Sequence, residues 1–386
     1  MDSLYSLLSV AAGRLDFIWT YLVPFLVVLT VLVFVHELGH YLVARRNGVR
    51  VEVFSIGFGP EIYGWNDSHK TRWKLSLIPF GGYVKMFGEN RDPASGHELT
   101  AEERAVAFHS KRISQRAAIV FAGPAANFLF ALVALAILFV SVGQPFTPAD
   151  INEVTPGGAA DRAGIKPHDV IVAIDGTHIE RFEQVQRIVQ LAPGKPLALT
   201  LKRGDTELTV TTVPESVEIV DRFGNTQRIG RLGISRTSAD MVLVRYDPAT
   251  ALWRAGKETV SLSANILDAL WQMINGTRST KELGGPGTIA QMAGDVAQLG
   301  FVNFVMFSVL LSINLGLINL FPVPMLDGGH LLFYAIEGLR GRPIGERAQD
   351  YGFRIGLALV VSLMLFATWN DLVRLRVVEF LVNLVT

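Results

Sequence analysis

Four stretches of this chain are too long and too apolar for the core of a small soluble domain. They fall within residues 17–45, 117–142, 301–337 and 351–372, and include YLVPFLVVLTVLVFV, AAIVFAGPAANFLFALVALAILFVSV, FVNFVMFSVLLSINLGLINLF and IGLALVVSLMLFATW. A helix needs ~20 apolar residues to cross ~30 Å of hydrocarbon. Inside lipid only helices and closed barrels satisfy their own backbone hydrogen bonds. The composition agrees, with 50% hydrophobic and 18% charged residues, where a soluble chain carries about 25% charged. The first run is too long for the apolar core of a signal peptide and lacks a small-residue cleavage site, so it is expected to remain as a span. The fold class expected is a multi-pass α-helical membrane protein with four transmembrane helices.

Lys and Arg set the expected direction of the spans. Residues 45–116 hold twelve in 72 positions, among them Arg45, Arg46, Arg50, Lys111, Arg112 and Arg116. Residues 143–300 hold sixteen in 158, and so long a loop can translocate regardless of charge. Arg340, Arg342, Arg347 and Arg354 follow the third span. Both basic connections are therefore expected in the cytoplasm, with both termini and the long loop outside. Arg374 and Arg376 run mildly against this assignment. Basic and acidic residues balance at 35 each, which removes the footprint of a nucleic-acid partner. With no cysteine, disulfides, iron–sulfur clusters and thiolate sites are excluded, and a metal must be held by His, Asp or Glu.

The connecting segments have their own patterns. Residues 50–115 read as a cytoplasmic, membrane-associated β-rich region. Trp73-Lys74-Leu75-Ser76-Leu77 alternates with the period of a strand, and glycines at 57, 59, 81 and 82 punctuate it. It is either an ordinary hairpin or an edge to which an extended peptide adds by main-chain hydrogen bonds. Residues 148–214 give strand, short helix, strand, the amphipathic helix FEQVQRIVQLA, then a hairpin about Gly204-Asp205. This order, and GIKPHDVIVAIDG above all, resembles a bacterial PDZ domain, an α+β module expected outside the cytoplasm with a peptide or protein ligand. Only one copy is present. Residues 215–300 read as a linker with amphipathic helices. In 248–283, Leu252, Ala255, Thr259, Leu262, Ile266, Leu270 and Met273 recur at helical spacing, which suits a helix on the bilayer surface or one packed on protein.

His36-Glu37-Leu38-Gly39-His40 matches H-E-x-x-H. On a helix the two imidazoles point at one ion, and Glu37 falls where it can take a proton from metal-bound water. The motif sits at the basic end of an apolar span, where unpaired ionised groups cost several kcal/mol. Catalytic zinc takes three protein ligands and keeps an open position. Candidates for the third lie in Asn314–His330, where Pro322 and Pro324 break the helix and Asp327 and His330 follow. Irregular chain at membrane depth is tolerated where it is buried in protein or lines a wet cavity. Asp327 is the preferred ligand and His330 the alternative, while Asn314 and Asn319 also suit hydrogen bonding between helices.

HELGH, FAGPAANF and INLGLINLFPVPMLDGGHLL, with the IPFGGYVKM strand and the single PDZ-like module between spans two and three, resemble the site-2 protease family of intramembrane zinc metalloproteases. The likeness runs from about residue 25 to 370 and is nearest to the bacterial branch that regulates sigma-E. The resemblance implies zinc (Zn2+) bound by His36, His40 and Asp327, with Glu37 as general base. It implies substrate handling by Asn314, Asn319, Pro322 and Pro324, and pairing of substrate with a β-loop at Phe80, Gly81, Gly82 and Tyr83. It further implies single-span membrane proteins as substrates, such as anti-sigma factors or remnant signal peptides. The place expected is the bacterial inner membrane, with the site near the cytoplasmic face and the PDZ-like domain in the periplasm. The sequence departs from the branch in having one such module where its best-known members have two. Two other classes compete: a non-catalytic PDZ membrane scaffold, disfavoured by ionisable groups kept in lipid, and a transporter, disfavoured by four spans without internal repeat.

Overall fold

A computed structural model describes residues 18–89, 99–220, 226–235, 242–276, 279–280 and 283–374; Phe17 and Arg376 lie outside them. In chain order, a π-helical turn at Ile18–Leu22 leads into α1 (Val23–Arg46), followed by β1 (Val51–Asn66), β2 (Arg72–Met86), α2 (Ala101–Val106) and α3 (Ile113–Ser141). Then come β3 (Gln144–Phe146), β4 (Glu153–Val154), α4 (Ala159–Arg162), β5 (Val170–Ile174), β6 (Thr177–His178) and α5 (Phe182–Gln190). These are followed by β7 (Leu197–Arg203), β8 (Thr206–Thr212), β9 (Glu215–Val220), β10 (Thr226–Arg231), β11 (Ile234–Ser235) and β12 (Val242–Val244). Helices α6 (Pro248–Ile274), α7 (Pro286–Gln298), α8 (Phe301–Leu320), α9 (Asp327–Arg340) and α10 (Glu346–Arg374) complete the chain. The chain forms two compact units: Met1–Ala136 with Leu252–Trp271 and Leu283–Thr386, and Ile137–Ala251 with Gln272–Glu282.

In the first unit, four helices are long and apolar enough to cross a membrane: Ile18–Arg46, Ile113–Ser141, Phe301–Leu320 and Arg347–Val373. The third apolar segment, read from sequence as reaching 337, is two helices. Pro322 and Pro324 offer no backbone N–H and cannot continue α8, so the chain turns and restarts at Asp327. At the end of α1, Arg45 and Arg46 complement the helix dipole, and Gly48 takes a φ of 68° that a larger side chain resists.

Beside α1 lies an irregular sheet built from two long strands. Residues 51–56 of β1 pair with 82–86 on one side and with Arg72, Trp73, Lys74 and Leu75 on the other; the latter also pair with 63–66. Phe54 is fully buried here, stacked on Trp73 at 4.2 Å and edge-on to Tyr41 and Phe34. The turn is clasped to α1 by Asp67, which accepts from Tyr41 Oη at 2.8 Å, Trp73 Nε1 at 3.1 Å and the backbone N–H groups of His69 and Thr71. Burial works against that carboxylate, but the four donors prevail and bring its pKa down to about 2.

The second unit has the predicted order of elements and continues past residue 214. Its main sheet runs β6-β5-β7-β8, α5 buries Phe182, Val185 and Val189, and Ile151, Ile171, Ile174, Leu199 and Leu201 fill the core. Leu232 joins that core and β11 pairs with β4, a tertiary partnership that has no local signature at 215–235. A cavity of about 250 Å³ lies between α5 and residues 230–234, lined by Phe182, Val185, Val189, Ile229 and Leu232. Asp169, buried at 1% exposure, accepts twice from the Arg203 guanidinium at 2.7 Å. Arg203 holds its carboxyl below the usual carboxylate range, against burial and with help from the Lys166 N–H.

A depressed folded-state pKa contributes stability above the unfolded value of about 3.9, lost as pH falls through the folded value. Asp169→Asn is therefore expected to destabilise this unit by about 2 kcal/mol at pH 7. That difference should shrink below pH ~4, as read by proteolytic susceptibility of the full-length protein across pH.

Candidate metal centre

The site is built from α1 upward. Four residues apart, His36 and His40 share one face of the helix; their rings meet edge to face at 4.8 Å, with the Nε2 atoms 3.2 Å apart. Asp327, the first residue of α9, brings Oδ2 to 3.2 Å from His36 Nε2 and 3.6 Å from His40 Nε2. All three donor atoms lie within 4.8 Å of one another. His40 is six residues, ~9 Å, before the basic end of α1.

Two neighbours decide which ring nitrogen faces inward. His40 Nδ1 donates to the Ile119 carbonyl at 2.9 Å, leaving an Nε2 lone pair. His36 Nδ1 lies 3.1 Å from the side-chain amide of Asn127. Asn127 is fully buried, with its Nδ2 nearest the ring and its Oδ1 without a partner; with the amide turned end for end, Oδ1 accepts the ring N–H and frees the second Nε2. Asp327 Oδ2 is likewise buried without a hydrogen-bond donor. Three lone pairs then face one another away from water, an arrangement that is costly unless a cation lies between them. Ligands ~2.0–2.1 Å from a tetrahedral ion stand ~3.3–3.4 Å apart. The observed spacings of 3.2, 3.2 and 3.6 Å fit that demand.

Small residues let the helices close around the site. A Cβ at Gly123 would overlap the His40 ring, and one at Gly39 would overlap the Ala122 carbonyl, so α1 and α3 touch backbone to side chain. Ser312 of α8 donates to the Asn127 carbonyl at 2.9 Å, and Gly316 rests on Phe128.

Glu37 follows His36 on α1, and β2 lies against it. A Cβ at Gly82 would stand 3.3 Å from Glu37 Cγ and 2.8 Å from a Val33 methyl. Segment 82–86 pairs on one side only among the described residues. Phe80 rests 6.2 Å from Phe25 of α1, Gly81 has a φ of 119° with Phe58 against it, and Tyr83 stacks on Phe58 at 6.0 Å. Asn319 falls on the α8 face shared with Ser312 and Gly316, while Asn314 lies nearly opposite. Pro322 and Pro324 form the turn before Asp327. His330, the alternative ligand, is outside the cluster, with its ring 5.4 Å from Phe353.

Sequence reasoning did not single out Asn127, Gly123 or Ile119. A polar residue and a glycine inside the apolar run AGPAANF were the available signal; the Ile119 contribution is a backbone carbonyl, which side-chain identity does not reveal.

Apolar helices wrapped around a buried His, His, Asp cluster with an adjacent carboxylate define a membrane-embedded metal-dependent hydrolase. The description "Peptidase family M50" matches residues 24–363. The chain belongs to that peptidase family, the site-2 protease family. It is similar to a protein of Agrobacterium fabrum named as a zinc metalloprotease, 44% identical over 363 residues, with 92% of this chain and 96% of that one covered. A Rhizobium meliloti protein of like name is 43% identical over 361 residues, covering 91% and 96%. The regulator of sigma-E protease RseP of Escherichia coli is 34% identical over 461 aligned positions, covering 94% of this chain and 100% of that one. That alignment is longer than this chain, so parts of the E. coli protein have no counterpart here. Among solved structures, the PDZ domain of an SdrC-like protein from Listeria monocytogenes covers 26% of this chain and 92% of its own at 16% identity. Its TM-score of 0.19 is too low to argue fold.

Asn127→Ala leaves His36 without its orienting partner. Affinity for a divalent metal is expected to fall 10–100-fold with helix content unchanged, measured by competition with a chelating dye.

Proposed function

We propose that the chain is an intramembrane zinc metalloprotease that cleaves single-span membrane proteins in or near their transmembrane segments. Anti-sigma factors and remnant signal peptides are the substrates in view. The observation that carries this reading is the meeting of His36, His40 and Asp327, from helices at opposite ends of the sequence, beside Glu37. His36, His40 and Asp327 would hold zinc, which when bound acidifies a water and polarises a carbonyl.

The remaining work falls to the chain's own groups. The Glu37 carboxylate takes the proton of the attacking water and delivers it to the departing amine nitrogen. A substrate helix hides its carbonyls in its own hydrogen bonds and must unwind before attack. The free edge at Phe80, Gly81, Gly82 and Tyr83 offers main-chain partners to the unwound segment, in place of those it gives up. Gly82, lying against Glu37, brings such a segment to the base. Asn319, Pro322 and Pro324 stand on the route by which the segment reaches Asp327, while Asn314, on the other face of α8, is left to hydrogen bonding between helices.

The basic ends of the first two apolar helices support a cytoplasmic placement of the site and the β-region in the bacterial inner membrane. The PDZ-like unit is then periplasmic, and its cavity beside α5 is the place for a peptide ligand. On α6, Trp253, Val260, Leu267 and Trp271 are exposed on one stripe while Ala255 and Thr259 are buried opposite, which suits a helix lying in the membrane interface. Replacing Trp253 and Trp271 by Tyr in full-length protein should remove their share of the fluorescence quenching by interfacially brominated lipids, leaving that of Trp19 and Trp369, which are exposed on the apolar helices. Unchanged quenching would overturn this placement of α6.

Glu37→Gln tests the assignment of the base. Zinc content should stay at one per chain, while cleavage of a reporter single-span substrate falls by about 10²–10⁴. Cleavage at the native rate would remove Glu37 from the mechanism.

A further inference from the structure

The last apolar helix, α10, is exposed along most of its length. Its far end is tied to α7, where Asp371 accepts from the N–H groups of Gly285, Gly287 and Thr288, and nearer its start it meets the backbone of the turn before α9. Gly352 and Gly356 stand one turn apart on α10. A Cβ at Gly356 would run into the carbonyl carbon and oxygen of Pro324 and into its Cβ. A Cβ at Gly352 would stand 2.9 Å from Phe333 Cζ and 3.7 Å from Pro324 Cγ. Pro324 is three residues before Asp327.

The opposite side of the same turn is as tight. A Cβ at Gly328 would overlap the Leu320 and Phe321 carbonyls, and one at Gly329 would stand 2.6 Å from Pro324 Cα. Between Pro324 and Asp327, Met325 has a φ of 90°, in the region that side chains avoid. Such a conformation persists only where the surroundings over-determine it. The surroundings here are the two glycines of α9 on one side and the two of α10 on the other.

We propose that the Gly352/Gly356 notch of α10 is a positioning device for the metal centre. By backing Pro324, it fixes the height of the turn and thereby the reach of the Asp327 carboxylate toward His36 and His40. Through this contact a helix that is exposed along most of its length acts on a site it does not line. The inference rests on the reading of Asp327 as a ligand.

The test uses full-length protein loaded with Co²⁺, whose visible absorption reports ligand geometry. Gly356→Ala is expected to shift and weaken the d–d bands and to release cobalt to a chelator at least tenfold faster. kcat on a reporter substrate should fall with KM within about twofold. Gly352→Ala meets chiefly the far end of the Phe333 side chain and should move both readouts in the same direction by less. Leu359→Ala, on an exposed part of α10, should leave them unchanged. Native bands and release rate in Gly356→Ala would overturn the proposal. If that variant does not fold, native values in Gly352→Ala would do the same. Failure of the wild-type protein to bind cobalt at all would instead sink the metal-site reading, so the two failures are distinct.

Discussion

Three lone pairs held together where water is scarce are the feature around which the first unit is organised. Left alone, the Nε2 atoms of His36 and His40 and the Oδ2 of Asp327 would repel one another or take up protons. Backbone and side-chain partners prevent the simplest escape, since Ile119 and Asn127 tie the far nitrogens of both rings. What remains is a set of three donor atoms, within 4.8 Å of one another, that a small divalent cation would satisfy. The glycines at 39, 123, 328 and 329 serve that end, because each removes a Cβ that would force apart the segments carrying the donors.

The β-region is bound to the same helix at several heights. Gly82 lies against Glu37, Phe80 against Phe25, and Asp67 hydrogen-bonds Tyr41 in the turn following His40. A sheet anchored in this way holds segment 82–86, which pairs on one side only among the described residues, at a set distance from Glu37. In the proposed reaction that matters more than any single contact to substrate, because an unwound segment must present one carbonyl at one place. Position is what such a site can supply most cheaply, since entropy lost in advance need not be lost at the moment of reaction.

Much of this was legible in the chain. The apolar runs announced four spans because hydrocarbon thickness is a constant that sequence can be measured against. HELGH announced two imidazoles on one helical face with a carboxylate beside them, because helical periodicity alone brings residues 36 and 40 together. The choice between Asp327 and His330 was not local: both follow the same broken helix, and only the path of the turn through Pro322 and Pro324 sends one inward and the other toward Phe353. Nor did residues 215–235 declare themselves part of the second unit, because β11 is two residues long and has meaning only as a partner of β4.

By itself, then, the sequence determined which segments are long and apolar enough to cross lipid, which helix bears the H-E-x-x-H motif, and what kinds of atoms are available to hold an ion when cysteine is absent. Those properties depend on composition and on periods of a few residues. The tertiary structure alone decided that Asn127 lies against His36, that a strand edge unpaired among the described residues lies beside Glu37, and that a notch in the last helix backs the turn before Asp327. Each of these is a contact between residues far apart in the chain, chosen by close packing of whole helices and strands. Close packing depends on shape in three dimensions, which no short window of sequence contains.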